Sequence, residues 1–522
     1  MAAPALAQTQ APAQAQAPLT AEELEDAEVE ELVIQAQRIQ PGAVIGDIPP
    51  ELQFAPRDLR ALGASTVTEL LDALEPQISS ARGGAAGGRP NVLVNGARVS
   101  SFAEVRDLPT EAILRMDILP EEVALKYGYR ADQRVVNMVL RPRFRAITAE
   151  GSYRAPWEAG GGDIVEARAN WLSILRGNRL MVDARASTQS RLYESDRDLA
   201  QPRSDAPFRT LIPKQDEVVL NAVLSRPLGN GIAATVNASV EASQGLSLLG
   251  LDPTAPRALE RRSEGVAGHL GAGVAGAFRG WRWNWTGNLD RSTTDNETER
   301  AFAGARRLDT ANSVSTSGDT QLDVSGSLFH VPAGMVSTTV TGAFATARLK
   351  SESVRAGVAR SGRLSRDIGS AKMNIDVPLT SRRNGFLDAI GDLSVGFNAG
   401  VDQVSDFGAL GTIGATTNWA PFEGLRFIGS FTRDEGAPTQ QQLNDPEQAT
   451  PLVQAYDFSR GETVLITRID GGNPNLAARE ANVLKLGINV TPIKDFGLTL
   501  SANYIRSRTD NLISSFPTAS IW

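Results

Sequence analysis

The decamer WRWNWTGNLD, residues 281–290, alternates without a break. Trp281, Trp283, Trp285, Gly287 and Leu289 share one parity; Arg282, Asn284, Thr286, Asn288 and Asp290 share the other. Successive side chains of a β-strand point to opposite faces, so the segment is predicted to be a strand with one greasy and one polar face. The rhythm recurs. Leu180, Val182, Ala184 and Ala186 oppose Met181, Asp183, Arg185 and Ser187, and Leu484, Leu486, Ile488 and Val490 oppose Lys485, Gly487 and Asn489. Phe496, Leu498, Leu500, Ala502 and Tyr504 oppose Thr499, Ser501 and Asn503.

Period two governs the chain from about residue 144 onward. The pattern predicts strands of about 11–15 residues, against about five or six in ordinary globular sheets. Tight connections fall at 176–178, 228–230, 279–280, 332–334, 422–424 and 493–495, and long polar ones near 193–214, 244–264, 295–318, 350–363 and 436–479. Soluble sandwiches alternate too. Long strands with short turns at one end and long loops at the other are instead the pattern of a barrel in the bacterial outer membrane. Trp281, Trp283 and Trp285 lie beside a tight turn on the apolar parity, where an aromatic girdle meets the membrane interface.

Composition narrows the remainder. The chain has 522 residues, 48 Gly, 28 Pro and no Cys. Disulfides, thiol nucleophiles and cysteine metal sites are excluded. The two histidines, His269 and His330, leave little material for a zinc centre or a histidine-based triad, and no phosphate loop or nucleophile motif occurs. No enzyme and no cofactor are expected. A net charge of −8 argues against nucleic acid as a partner. No run of 18 apolar residues exists to form a membrane helix, which leaves spanning strands open.

Three parts follow. Residues 1–50 are rich in Ala, Gln and Pro, then acidic; Ala5-Leu6-Ala7 before Gln8 reads as the stub of a signal peptide. One apolar knot stands in this tail, Glu31, Leu32, Val33, Ile34, Gln35 and Ala36, suited to pairing with another protein's strand. Residues 51–142 read as a compact α+β unit. Thr66 and Glu69 form a capping-box pattern before an apolar helical face of Val67, Leu70, Leu71 and Leu74. Residues 79–90 are an exposed loop, 91–94 a strand, and Asn95-Gly96 a tight turn. Pro120 starts and Gly128 stops a helix over EEVALKY, and VVNMVL (135–140) is a strand with one buried Asn that needs partners. Residues 143–522 are the strand-rich part.

The middle part resembles the plug domain of TonB-dependent outer-membrane receptors. The residues that carry the match are Val92 to Gly96, Leu108-Pro109, Ile113, Ile118-Leu119, Ala124, Tyr127-Gly128 and Val135-Val136-Asn137. Gln133-Arg134 stand where many members have a glycine before the closing strand. Residues Glu31–Ala36 are similar to the family's TonB box. The resemblance implies a mainly β fold: a small α+β plug, then a large antiparallel transmembrane barrel in the outer membrane. It implies a TonB-type energising partner in the inner membrane, outer-membrane lipid around the wall, and a small-molecule cargo such as a siderophore complex. A monomer is expected. Arg82 and Arg89 in the plug loop are candidate substrate contacts, because guanidinium groups recognise carboxylates and phosphates. The function implied is energised uptake of a scarce solute. The alternatives are a passive porin and a surface binding protein.

About fifteen spanning strands fit the alternation, whereas plugged transporters use 22. Pro517 interrupts the last residues, ISSFPTASIW. The expectation is a fragment clipped at both ends, forming a curved open sheet around the plug.

Overall fold

The computed structural model describes residues 50, 52–75, 90–119, 127, 129, 134–157, 160–198, 204–252, 256–302, 305–493, 498–514 and 520–521. A small mixed sheet comes first. Its strands are β1 (Leu52–Phe54), β2 (Asn91–Val94), β3 (Ala97–Arg98), β4 (Ile113–Leu119) and β5 (Val135–Leu140), in the order β1-β4-β5-β2-β3. Only β2 and β5 run parallel. Two short helices, α1 (Pro56–Ala61) and α2 (Val67–Ala73), pack beside it. Val67, Leu70, Leu71 and Leu74 are buried, as their spacing requires. The Thr66 hydroxyl accepts the Glu69 amide at 3.3 Å, but the Glu69 carboxylate takes the Ser65 amide at 2.9 Å rather than that of Thr66. The cap is therefore shared with the preceding residue. All six residues of β5 are buried, since the strand has a neighbour on each side and faces covered above and below.

The wall begins with β6 (Arg143–Arg154), β7 (Ile164–Leu175) and β8 (Asn178–Gln189). A two-stranded ribbon, β9 (Leu192–Tyr193) and β10 (Thr210–Ile212), fills the next connection. Then come β11 (Lys214–Gly229), β12 (Ile232–Leu251), β13 (Ala258–Phe278), β14 (Trp281–Phe302), β15 (Ala305–Val331), β16 (Gly334–Arg355) and β17 (Val358–Thr380). After them lie β18 (Asp392–Val404), β19 (Gly408–Phe422) and β20 (Leu425–Gly436). A short helix, α3 (Gln440–Asn444), and a hairpin, β21 (Gln448–Asp457) with β22 (Glu462–Asp470), precede β23 (Arg479–Ile493) and β24 (Leu498–Asp510). A two-residue strand, β25 (Ser520–Ile521), lies parallel to β21.

Fifteen of these strands form one antiparallel sheet in chain order from β6 to β24, leaving out the ribbon, the hairpin and β25. Among the described residues no ladder joins β6 to β24, so the sheet is open. The tight turns predicted at 176–178, 279–280, 332–334 and 422–424 join strands as expected, the one at 228–230 lies a residue on at Asn230-Gly231, and the one at 493–495 reaches outside the described residues. Arg176-Gly177, Asn230-Gly231 and Arg279-Gly280 all have positive φ, the primed-turn geometry that matches strand twist.

Three of the predicted long loops are wrong. Among the described residues, 244–251, 258–264, 295–302, 305–318, 350–355 and 358–363 are strand. The strands there reach 20 to 27 residues in β12 to β17. Beyond the lipid both faces of a strand meet water, so the apolar half of the alternation disappears while the ladder continues. Polarity on both faces gives a strand the composition of a loop.

Parity assigns the two faces of the wall. Asn288 of β14 and Asp323 of β15 touch the small domain, so their parity faces inward. Leu289, Leu322, Leu270 and Val236 have the opposite parity and are exposed on the outer face. Trp281, Trp283 and Trp285 share that outer parity, and the Trp285 indole donates to the Thr320 hydroxyl at 2.8 Å. The small domain's core runs into the wall through inward-facing Leu172, Ile174, Met181 and Val223.

Candidate functional site

The residues read as a plug motif come together around one turn. Asn95 and Gly96 have φ of 51° and 76° and join β2 to β3. The Asn137 carboxamide oxygen accepts the Gly96 amide at 2.9 Å, and its nitrogen faces the Asp117 carboxylate at 3.4 Å. These are the partners its burial demanded. The Asn95 carboxamide oxygen accepts the Leu140 amide at 2.9 Å, and the Tyr127 hydroxyl donates to the Gly96 carbonyl at 2.9 Å. Val135 and Val136 pair with Asn91 and Val92. The motif is thus a fold-holding knot rather than a ligand contact. Gly128, residues 31–36, Arg82 and Arg89 lie outside the described residues.

Sequence reasoning missed the seam between small domain and wall. Arg98 follows the turn by two residues. Its guanidinium donates to Asp323 at 3.1 Å, Gln321 at 3.2 Å and the Tyr127 carbonyl at 3.0 Å, and lies 4.0 Å over the Tyr129 ring. Burial pushes the Tyr129 phenol up, against the opposing pull of Arg98, so it stays neutral. Ser100 and Ser101 meet Asn237 and His269: Asn237 donates to the Ser100 hydroxyl at 2.6 Å, and the Ser101 hydroxyl lies 2.9 Å from the His269 Nε2. The other imidazole nitrogen lies 2.7 Å from Asp290.

Two carboxylates complete the seam. Glu104 pairs with Arg179 at 2.5 Å, both almost fully buried. Asp107 takes Arg168 at 2.8 Å and Asn221 at 2.8 Å, and Arg168 also holds Asp183 at 2.8 Å. The signal available in the sequence was parity: Arg179, Asp183, Asn221, Asn237, His269 and Asp323 all lie on the polar face of predicted or predictable strands.

Beside this seam, Tyr129 and the inner faces of β16 to β20 and β23 line a half-open cavity of about 300 Å³. Its cations are engaged. Arg366 holds Asp406 through two hydrogen bonds of 2.7 and 2.6 Å and donates to the Pro438 carbonyl at 2.5 Å. Lys372 lies 3.5 Å from Asp402, and Arg479 lies 3.6 Å from Asp434. The segment between β20 and β23 crosses above: Gln440 donates to the Ala347 carbonyl at 2.9 Å, and Arg261 of β13 reaches the Ala449 carbonyl and the Thr450 hydroxyl, each at 2.9 Å.

A family described as TonB dependent receptor-like, beta-barrel, matches residues 233–522. The chain belongs to the TonB-dependent receptors. These are outer-membrane β-barrel proteins of transport, not enzymes, and membership implies a TonB-type partner. No curated protein matches the sequence significantly. Among solved structures, the fold is similar to the siderophore receptor PirA from Pseudomonas aeruginosa, at 15% identity and TM-score 0.55, over 87% of this chain and 74% of that one. It is similar also to a mutant ferric enterobactin receptor, PfeA, from the same organism in complex with enterobactin, at 14% identity and TM-score 0.55, over 88% and 72%. The RagAB peptide importer matches at 10% identity and TM-score 0.52, over 89% and 66%. At such identities the likeness is one of fold. It covers the small mixed sheet and the fifteen-stranded sheet together.

Proposed function

We propose that this receptor carries out energised uptake of a scarce solute across the outer membrane. The plug, residues 51–142, closes the passage within the barrel of residues 143–522. A TonB-type protein grips Glu31–Ala36 by strand pairing and pulls, and the plug shifts to let the bound solute through. Arg82 and Arg89 are assigned as plug-loop contacts to cargo arriving from outside. Trp281, Trp283 and Trp285 anchor the wall at the membrane interface.

The observation that carries this reading is the plug–wall seam. Beside the apolar contact of Leu172 and Met181, it holds hydrogen bonds and ion pairs that can be broken and remade, from Arg98–Asp323 to Asp107–Arg168. A plain diffusion pore has no use for such a stopper. The test is deletion of residues 31–36. Cells should keep solute binding and lose uptake. Undiminished uptake would favour the passive channel, and binding with no uptake in either form would favour a surface binding protein.

A further inference from the structure

We infer that the lumen cavity beside Tyr129 is a subsite for a neutral, hydroxyl-rich solute, a saccharide rather than a polyanionic metal chelate. This deepens the uptake reading and rests on it. Three observations converge. The first is charge. The cavity is lined by three cations, Arg366, Lys372 and Arg479, and three carboxylates, Asp402, Asp434 and Glu435. Each cation already faces a carboxylate: Arg366 that of Asp406, from outside the lining, Lys372 that of Asp402 and Arg479 that of Asp434. A multiply charged anion would meet no uncompensated positive field there, and would have to break existing ion pairs to gain a partner.

The second is a concentration of unsatisfied neutral polar groups. The Asn374 and Asn398 carboxamides and the Thr432 hydroxyl each contain a buried oxygen with no hydrogen-bond partner. All three residues line this one cavity. Native proteins leave few such atoms, and each calls for a reason. A carboxamide offers donor and acceptor side by side, whichever way it is turned, and so matches a pair of neighbouring hydroxyls on a sugar ring. Small rotations of Asn374 and Asn398 on binding would satisfy both. The third is the plug itself. Tyr129 presents a phenol to the cavity, and the Arg98 guanidinium stacked on its ring is tied to Asp323 of the wall. A solute seated there touches both the wall and a residue coupled to the seam.

The test uses the full chain, purified from outer membranes in detergent. Maltotriose, xylotriose, cellotriose and sucrose are titrated calorimetrically against a synthetic ferric tris-catecholate. Binding of at least one saccharide is expected, weakened about tenfold by Asn374→Leu and by Thr432→Val, each of which removes one polar contact at near-constant size. Folding of each variant is checked by its gel shift on boiling. Absence of saccharide binding by the folded protein overturns the assignment, as does saccharide binding indifferent to both variants. The two readings fail separately. A catecholate that binds and is imported only with residues 31–36 intact refutes the saccharide site and keeps energised uptake. A saccharide that binds in a variant-sensitive way but enters without residues 31–36 keeps the site and refutes energised uptake.

Discussion

The Asn137 carboxamide oxygen accepts the Gly96 amide at 2.9 Å, across 41 residues of chain. The closing strand of the plug and its tight turn are therefore one unit. Asn137 is fully buried and Gly96 sits at positive φ. Replacing Asn137 with Leu keeps the volume but strands the Gly96 amide. The expected cost is about 1–3 kcal/mol, the penalty for one buried donor left unpaired. Hydrogen exchange at Gly96 should accelerate by roughly one to two orders of magnitude if that opening controls it. Unchanged protection would remove Asn137 from the knot.

Glu104 and Arg179 form the most deeply buried ion pair of the plug–wall seam, with side chains 5% and 4% exposed. Removing one partner leaves a charge in a dry place. Arg179→Met is expected to loosen the plug by about 3–5 kcal/mol, whereas Glu104→Met with Arg179→Met should recover much of it. Limited proteolysis of the plug in outer-membrane vesicles reports the difference. Equal sensitivity of the single and double variants would contradict a coupled pair.

Met181 and Leu172 are wall residues wholly buried in the plug's core. Leu172→Ala should weaken plug seating by about 2–5 kcal/mol, as large-to-small changes in cores do. Outward-facing Leu289 to Ala is the control and should leave the seat unchanged. Single-channel conductance would show the first variant leaking and the second closed.

The tip of the β21–β22 hairpin supplies a pH test. The Ser459 hydroxyl donates to the Asp457 carboxylate at 2.6 Å, and the Ser459 and Arg460 amides add bonds of 2.9 and 3.2 Å. The hydroxyl foremost, then these amides, hold the Asp457 carboxyl below the usual range. A depressed carboxyl stabilises the fold above its unfolded pKa of about 3.9 and loses that contribution as pH falls through the folded value. Exchange of the Ser459 and Arg460 amides, corrected for intrinsic rates, should speed up only below about pH 3.9, and Asp457→Asn should abolish the step. A step at neutral pH would contradict this.

Much of the fold was legible because period two is a direct consequence of strand geometry. WRWNWTGNLD announced its outward tryptophans, and the Asn-Gly and Arg-Gly turns announced the ends. The count of about fifteen strands matches the wall. What failed was the upper wall. Residues 295–318 look like a loop because both faces are wet, yet Asp295 pairs with Asn312 and Thr298 with Asp309 in an unbroken ladder. The knot of Asn95, Gly96, Tyr127 and Asn137 was visible as a motif, though not as a network. The seam was hidden for another reason. Arg98 and Asp323, or Glu104 and Arg179, are joined only by docking of the plug, and no local pattern reports a contact 225 residues long.

Displacement of the plug from the wall is the central claim, and one engineered bond tests it. A Cβ placed on Gly271 of β13 would lie 2.8 Å from the Ser100 hydroxyl oxygen, so cysteines at 100 and 271 come within reach of each other once the Asn237 carboxamide, 2.7 Å from the same Cβ, gives way. The native chain has no cysteine to interfere. The measurement is uptake, in cells carrying Ser100→Cys with Gly271→Cys, of whichever solute the binding titration selects. The account predicts that oxidised cells bind the solute but do not import it, and that a membrane-permeant reductant restores import. Import at the unmodified rate with the disulfide formed would show that the plug need not leave this wall, and would contradict the account.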